Sequence, residues 1–295
     1  MTDSSATERL AVLRILTGGY ATLFLIVRSR SFWQGAQLPS SRVEGVGVLW
    51  FLDERWPPLS MHVFFVVTVV LGVLFTLGWR FRLSGPMFAF AFLVIATYRM
   101  SFGHVIHTEH LVALHLLVVG FSPAADAWRC GSHHRPITNT SAHDAAIRLM
   151  IWLVAITYVL AGLAKIRHGG WDWLQGDVLR NHIAYDNLRK ELLGSPHSPI
   201  GGWLVRFDWL FPPAAVATTA VELSAALLPF GGPRLRTIWA FAAWGFHIVV
   251  LMTMAIDFPY PVTGIAFAPL FAVEVPMRRI VEHTRLRFGR ARVST

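Results

Sequence analysis

Apolar residues in this chain do not alternate with polar ones at either the strand or the amphipathic-helix period; they gather in long, nearly uninterrupted blocks. A helix crossing a bilayer needs about 20 mostly apolar residues, fewer when its ends lie in the interface. The blocks predict eight spans, over 10–27, 59–77, 86–98, 110–121, 147–166, 210–230, 236–256 and 261–275. The third and fourth are short, extended toward Arg99 and back toward His104. The fold class is therefore all-α, a polytopic transmembrane bundle forming a single membrane domain over 1–295. No internal repeat and no cleavable leader is expected, because the first apolar block is too long for an ordinary signal segment.

Two longer links remain, 28–58 and 167–209. The second holds Trp171-Asp172-Trp173-Leu174, then a helix-like stretch closed by Gly194-Ser195-Pro196. Tryptophans with mixed polarity suit a helix lying in the membrane interface, the alternative being a solvated loop.

Composition agrees with a lipid-dissolved chain. Of 295 residues, 54% are hydrophobic and 15% charged, with mean hydropathy +0.51, whereas soluble domains are roughly 25% charged. One cysteine, Cys130, excludes an intrachain disulfide and a multi-thiolate metal site. The net charge of +9 comes largely from the links and from a basic tail over 277–295. Arg80 and Arg82, Arg129 and Arg135, and Arg234 and Arg236 mark alternate links, which by the positive-inside rule puts both termini in the cytoplasm. Anionic lipid, not nucleic acid, is the expected partner of that charge, since no recognition module accompanies it.

Ionisable groups inside a span cost several kcal/mol unless paired or wet, so each marks a candidate site. They are Arg14 in span one, Lys165 near the outer end of span five, Glu222 in span six and His247 in span seven. His110 opens span four, with His104 and His107 before it. The span directions bring Lys165 and His110 to the same, non-cytoplasmic leaflet, with Glu222 and His247 near mid-depth, so one outward-facing cavity holding them is expected. Each has a plainer reading. Lys165 can snorkel to the headgroups, His110 can be a hydrated interfacial side chain, and Glu222 can pair with Arg14 or His247 to hold helices together. Arg14 reads as structural, seeking Glu222 or main-chain carbonyls.

His104, His107, His110 and His115 invite a metal reading. The zinc-hydrolase pattern, however, needs two histidines four apart around a glutamate, and His107-Thr-Glu109-His110 has them three apart. Cys130-Gly-Ser-His133-His134 has one thiol. No metal site is expected, and neither a glycine-rich phosphate loop nor a nucleophile elbow is present.

Three segments in order resemble the membrane domain of vitamin-K-dependent gamma-carboxylases, also called the HTTM (horizontally transferred transmembrane) domain. Arg9-Leu-Ala-Val-Leu-Arg14-Ile-Leu-Thr-Gly18 is similar to the family's Phe-Arg-x-x-x-Gly entry helix. Glu109-His110-Leu-Val-Ala-Leu, followed by Ala125-Asp126-Ala-Trp128, resembles its Asn-His-x-x-Leu helix and Asp/Trp turn. Tyr158-Val-Leu-Ala161-Gly162-Leu-Ala-Lys165, followed by Trp173-Leu-x-Gly176, resembles its Ala-Gly-x-x-Lys and Trp-x-x-Gly. Phe246-His247 and Phe258-Pro259 add weaker matches.

The resemblance implies a membrane enzyme, a carboxylase-like lyase, in which Lys165 deprotonates vitamin K hydroquinone or a related quinol and His110 lies at the quinone. His107, Glu222 and His247 would line that site. Dioxygen then turns the quinol into a stronger base, which takes a glutamate γ-proton before carbon dioxide adds. The chemistry suits a lysine, whose amine loses charge stabilisation out of water and becomes available as a neutral base. Arginine holds its proton too tightly for that role. Of the 26 basic residues only Lys165 and Lys190 are lysine.

Two departures stand out. Glu109 replaces the family's asparagine, and the sequence ends soon after its last span, whereas animal carboxylases continue into a domain that grips the substrate propeptide. Processive carboxylation of a tethered protein is therefore not expected. The competing function is a non-enzymatic membrane protein for peptide maturation, export or partner assembly. A transporter using Glu222 and His247 as a proton relay ranks below both, since no repeated pair of broken helices is visible. In every case the chain is a multi-pass protein of the plasma (bacterial inner) membrane.

Overall fold

The computed structural model describes residues 3–35, 37–103, 107–130 and 141–280. Among them the regular structure is helical: α1 (Asp3–Gly35), α2 (Pro58–Leu77), α3 (Phe81–Met100), α4 (His110–Gly120), α5 (Ser141–Leu174), α6 (Asp177–Leu192), α7 (Pro199–Leu204), α8 (Phe211–Ser224), α9 (Pro233–Met254) and α10 (Pro259–Val262). Among the described residues six segments are long and apolar enough to cross a membrane, namely α1, α2, α3, α5, α9 and the stretch Asp208–Leu227 containing α8. His104, Arg135 and the tail beyond Ile280 lie outside the described residues. The chain divides into two compact units, residues 1–150 with 272–295, and residues 151–271.

In the first unit, α1 packs along α2, and Arg14 and Gly18 share one face because they lie four residues apart. A Cβ at Gly18 would fall 2.5 Å from the Phe75 ring, so glycine is what lets α2 lie this close. One turn away the fully buried Arg14 donates from Nη2 to the Trp128 carbonyl at 2.5 Å and lies over the Phe81 ring. Its guanidinium abuts Gly78, which ends α2, where the unsatisfied carbonyls of a helix favour a cation. The Arg-x-x-x-Gly spacing is thus a docking device for α2.

α4 has only 11 residues, about 16 Å of helix, and runs antiparallel to α3 between Arg99 and Gly85. Glu109, at its start, pairs with Arg99 at the end of α3, and Gly120, at its end, touches Gly85 near the start of α3. The segment after Ala272 returns to the beginning of α1, where Glu274 approaches Arg9 at 4.0 Å and Arg278 pairs with Glu8.

In the second unit, α9 ends in carbonyls that no further helical turn can satisfy. Side chains of the α6–α7 region do so instead. Asn187 donates to the Thr253 carbonyl at 2.8 Å, Lys190 to those of Met254 and Ala255 at 2.6 and 3.3 Å, and the Ser198 hydroxyl to Met252. α6 therefore lies at the level where α9 ends, immediately after α5.

The predicted span 261–275 is not one helix. Pro259, Pro261 and Pro269 withhold amide hydrogens, and Gly264 turns at φ +76. The chain forms α10 and then a 3-10 turn over Ile265–Leu270. It still travels back along α9, with Phe258 against His247 and Phe267 against Trp239. Irregular backbone survives at membrane depth only when protein covers it, and Tyr260, Ala266, Phe267, Ala268 and Leu270 are all buried. Hydropathy alone does not distinguish this path from a helix.

Candidate functional site

The stripe Tyr158, Gly162, Lys165 occupies one face of α5, at spacings of four and three. At Gly162 α5 runs close to α8: a Cβ there would lie 3.1 Å from Glu222 Cβ and 3.0 Å from Leu223. That approach carries Glu222 to the next turn of α5, where Lys165 Nζ donates to Glu222 Oε1 at 2.5 Å. The lysine side chain is 21% exposed and the glutamate 4%. Glu222 Oε2 is buried without a hydrogen-bond partner. A carboxylate oxygen left so costs free energy unless something donates to it, so it is the acceptor this site offers.

Two aromatic rings complete the surroundings of the ammonium. Trp173 lies 5.1 Å from Lys165 Nζ and Phe246, on α9, 5.2 Å. Both contacts hold the amine against a ring face, and together with the carboxylate they surround it from three elements. Trp173 follows a break in α5 at Gly170, whose φ 53, ψ −136 is open only to glycine. The indole Nε1 donates to Thr219 Oγ1 at 2.9 Å, and Thr219 stands three residues before Glu222 on α8. The spacing of Ala-Gly-x-x-Lys and Trp-x-x-Gly thereby acquires a physical account: close approach, amine, cover.

His247 is brought to the same α5–α9 seam but has a different partner. Its Nε2 shares a 2.6 Å hydrogen bond with Tyr158 Oη, both groups buried, within a box of Trp239, Phe258 and Phe267. Lys165, Glu222 and His247 all belong to the second unit. Arg14, His107 and His110 belong to the first. There His110, the first residue of α4, places Nδ1 2.5 Å from the His107 carbonyl. Glu109, buried between them in sequence, accepts from Arg99 and from Thr108, so the departure from asparagine supplies the counter-charge of Arg99. Partial burial, then the neighbouring His110, pushes the His107 imidazole below its ordinary value against the pull of Glu109. Arg99 also borders an open cleft of about 290 Å³ with Phe32, Gln34, Leu38, Tyr98 and Phe102.

Of the residues singled out in the sequence, Glu222 meets Lys165, and Arg14 meets the Trp128 carbonyl. Tyr158, Trp173 and Phe246 stood in the family motifs without an assigned part. Thr219 had no signal beyond its spacing to Glu222, because a neutral hydroxyl inside a span can always satisfy itself on its own helix, as Thr219 also does on the Ala215 carbonyl. Among the described residues no three His, Cys, Asp or Glu side chains gather in a way that could hold a metal ion.

No curated protein and no solved structure matches this chain. The HTTM domain family model matches residues 3–274, nearly its whole length. The chain, an integral membrane protein built of apolar helices, belongs to the HTTM family.

Proposed function

We propose that the protein is a quinol-dependent, carboxylase-like enzyme of the plasma membrane in which Lys165 is the base and Glu222 its proton-sharing partner. The observation that carries this reading is the orphaned Glu222 Oε2 beside an ammonium held between two aromatic rings. The residues fit an aromatic diol: Trp173 and Phe246 offer ring faces, and Oε2 accepts a phenolic O–H. When bound, vitamin K hydroquinone or a related quinol supplies an acidic aryl hydroxyl and, with dioxygen, the oxidative chemistry.

The Lys165–Glu222 pair is neutral wherever its internal proton sits. Accepting one more proton leaves an ammonium beside a carboxylic acid, a net charge of +1 that matches a ligand hydroxyl which has lost its proton. Low surrounding polarity strengthens that match, and water excluded by Trp173 does not compete for it. The family resemblance adds His110 as a quinone-site residue. The acceptor of the later carboxylation would be a peptide or protein glutamate.

The competing reading is a non-enzymatic protein for peptide maturation, export or partner assembly, in which Lys165–Glu222 only ties α5 to α8. The exposed apolar stripe Tyr185, Leu188 and Leu192 on α6 favours it, as a surface for another chain. Quinol oxidation by the reconstituted protein decides between them. The enzyme loses turnover in Lys165→Arg while keeping its melting temperature; equal turnover in wild type and Lys165→Arg rejects the base.

A further inference from the structure

The Lys165 side chain is 21% exposed where Glu222 is 4%, and of the two rings beside its ammonium Trp173 is the more deeply buried. On an unbroken helix Trp173 would stand about 12 Å farther along the axis than Lys165. The turn at Gly170 folds it back instead, to 5.1 Å from Nζ, with the indole 7% exposed. What fixes the ring is not packing alone. Its Nε1 donates to Thr219 Oγ1, and that hydroxyl in turn donates to the Ala215 carbonyl at 2.9 Å, so its acceptor lone pair is turned toward the indole. Thr219 and Glu222 lie on the same face of α8, so one helix holds both the carboxylate and the anchor of the cover.

We infer that Thr219 and Trp173 form a latch that controls access to the Lys165 amine. Thr219 is the positioning residue: it acts on Lys165 only through the indole. With the latch closed the amine stays on Glu222 beneath the indole; with the indole released, a molecule entering from the exposed side reaches both Nζ and Glu222 Oε2. The latch sets when the base meets its substrate, and in that sense rests on the reading of Lys165 as the base. Its test does not.

The chain's two lysines make the measurement direct, because Lys190 is held separately by Asp186 and by the Met254 and Ala255 carbonyls and serves as an internal reference. The protein in lipid nanodiscs is treated with a water-soluble N-hydroxysuccinimidyl acetate, and acetylation of Lys165 relative to Lys190 is followed by mass spectrometry. Thr219→Val removes the acceptor at constant shape, and Trp173→Phe removes the donor while keeping a ring. Both should raise the Lys165 to Lys190 ratio roughly fivefold, the factor for one neutral hydrogen bond. Thr219→Ser, which restores the hydroxyl, should return the ratio to near wild type. An unchanged ratio in Thr219→Val, a Thr219→Ser that behaves like Thr219→Val, or both lysines rising together overturns the latch. If the ratio moves as expected while no variant and no wild-type protein turns over a quinol, the latch stands and the enzymatic reading falls.

Discussion

Glu222 meets Lys165 one turn beyond Gly162 on α5: the 2.5 Å contact between Nζ and Oε1 sits beside a helix approach so close that a Cβ at Gly162 would lie 3.0 Å from Leu223 and 3.1 Å from Glu222, tighter than side chains ordinarily pack. Family motif, helix packing and candidate chemistry meet at that one glycine.

Enlarging Gly162 should therefore separate the pair. Gly162→Leu places a branched side chain against Glu222 and Leu223, and overpacking of this kind costs about 1–3 kcal/mol. A lowered melting temperature with a parallel loss of quinol turnover is expected. A Gly162→Leu protein of unchanged stability would show that α5 and α8 are not in fixed contact there.

The acid sensitivity of the α6–α9 junction follows from Asp186. Burial alone would raise its carboxyl, but hydrogen bonds and charges from Lys190 and Arg189 together hold it below the usual carboxylate range. A carboxyl depressed in the folded state stabilises that state above its unfolded pKa, near 3.9. That contribution fades as pH falls toward the lower folded value. Thermal unfolding of wild type should lose stability below about pH 4 more steeply than Asp186→Asn. Parallel curves for the two proteins would show that the carboxylate does not support the junction.

The expected topology is open to reporter fusions. Fusions at Arg82, Arg135 and Arg290 should report the cytoplasm, and one near Ser195 the outside. An external signal at Arg290 would overturn the layout of eight crossings with both ends inside. The pairing of Glu8 with Arg278 and the approach of Glu274 to Arg9 already bring the two ends of the described chain together in the first unit.

How much of this was readable in the sequence depended on which force set each feature. Apolar blocks of full length gave α1, α2, α5 and α9, since lipid leaves a chain little alternative to a helix. The block at 261–275 misled because its prolines and burial against α9, not its hydropathy, decide its path. Lys165, Glu222, His247 and Arg14 were visible because an ionisable group inside a span needs a reason. Their partners were not, since pairing depends on helix approach. Sequence offered Glu222 either Arg14 or His247, whereas it lies on Lys165, and His247 bonds Tyr158. Thr219 carries no charge and so gave no signal.

The central claim is that Lys165, sharing a proton with Glu222, deprotonates a bound quinol. Anaerobic ultraviolet difference spectroscopy tests it most directly, because excluding dioxygen leaves proton transfer as the only chemistry to observe. Vitamin K hydroquinone added to the protein in nanodiscs should develop the absorbance of its quinolate with wild type and retain that of the neutral quinol with Lys165→Arg and Glu222→Gln. A quinolate band of equal strength in all three proteins, or in none of them despite bound quinol, would contradict the account.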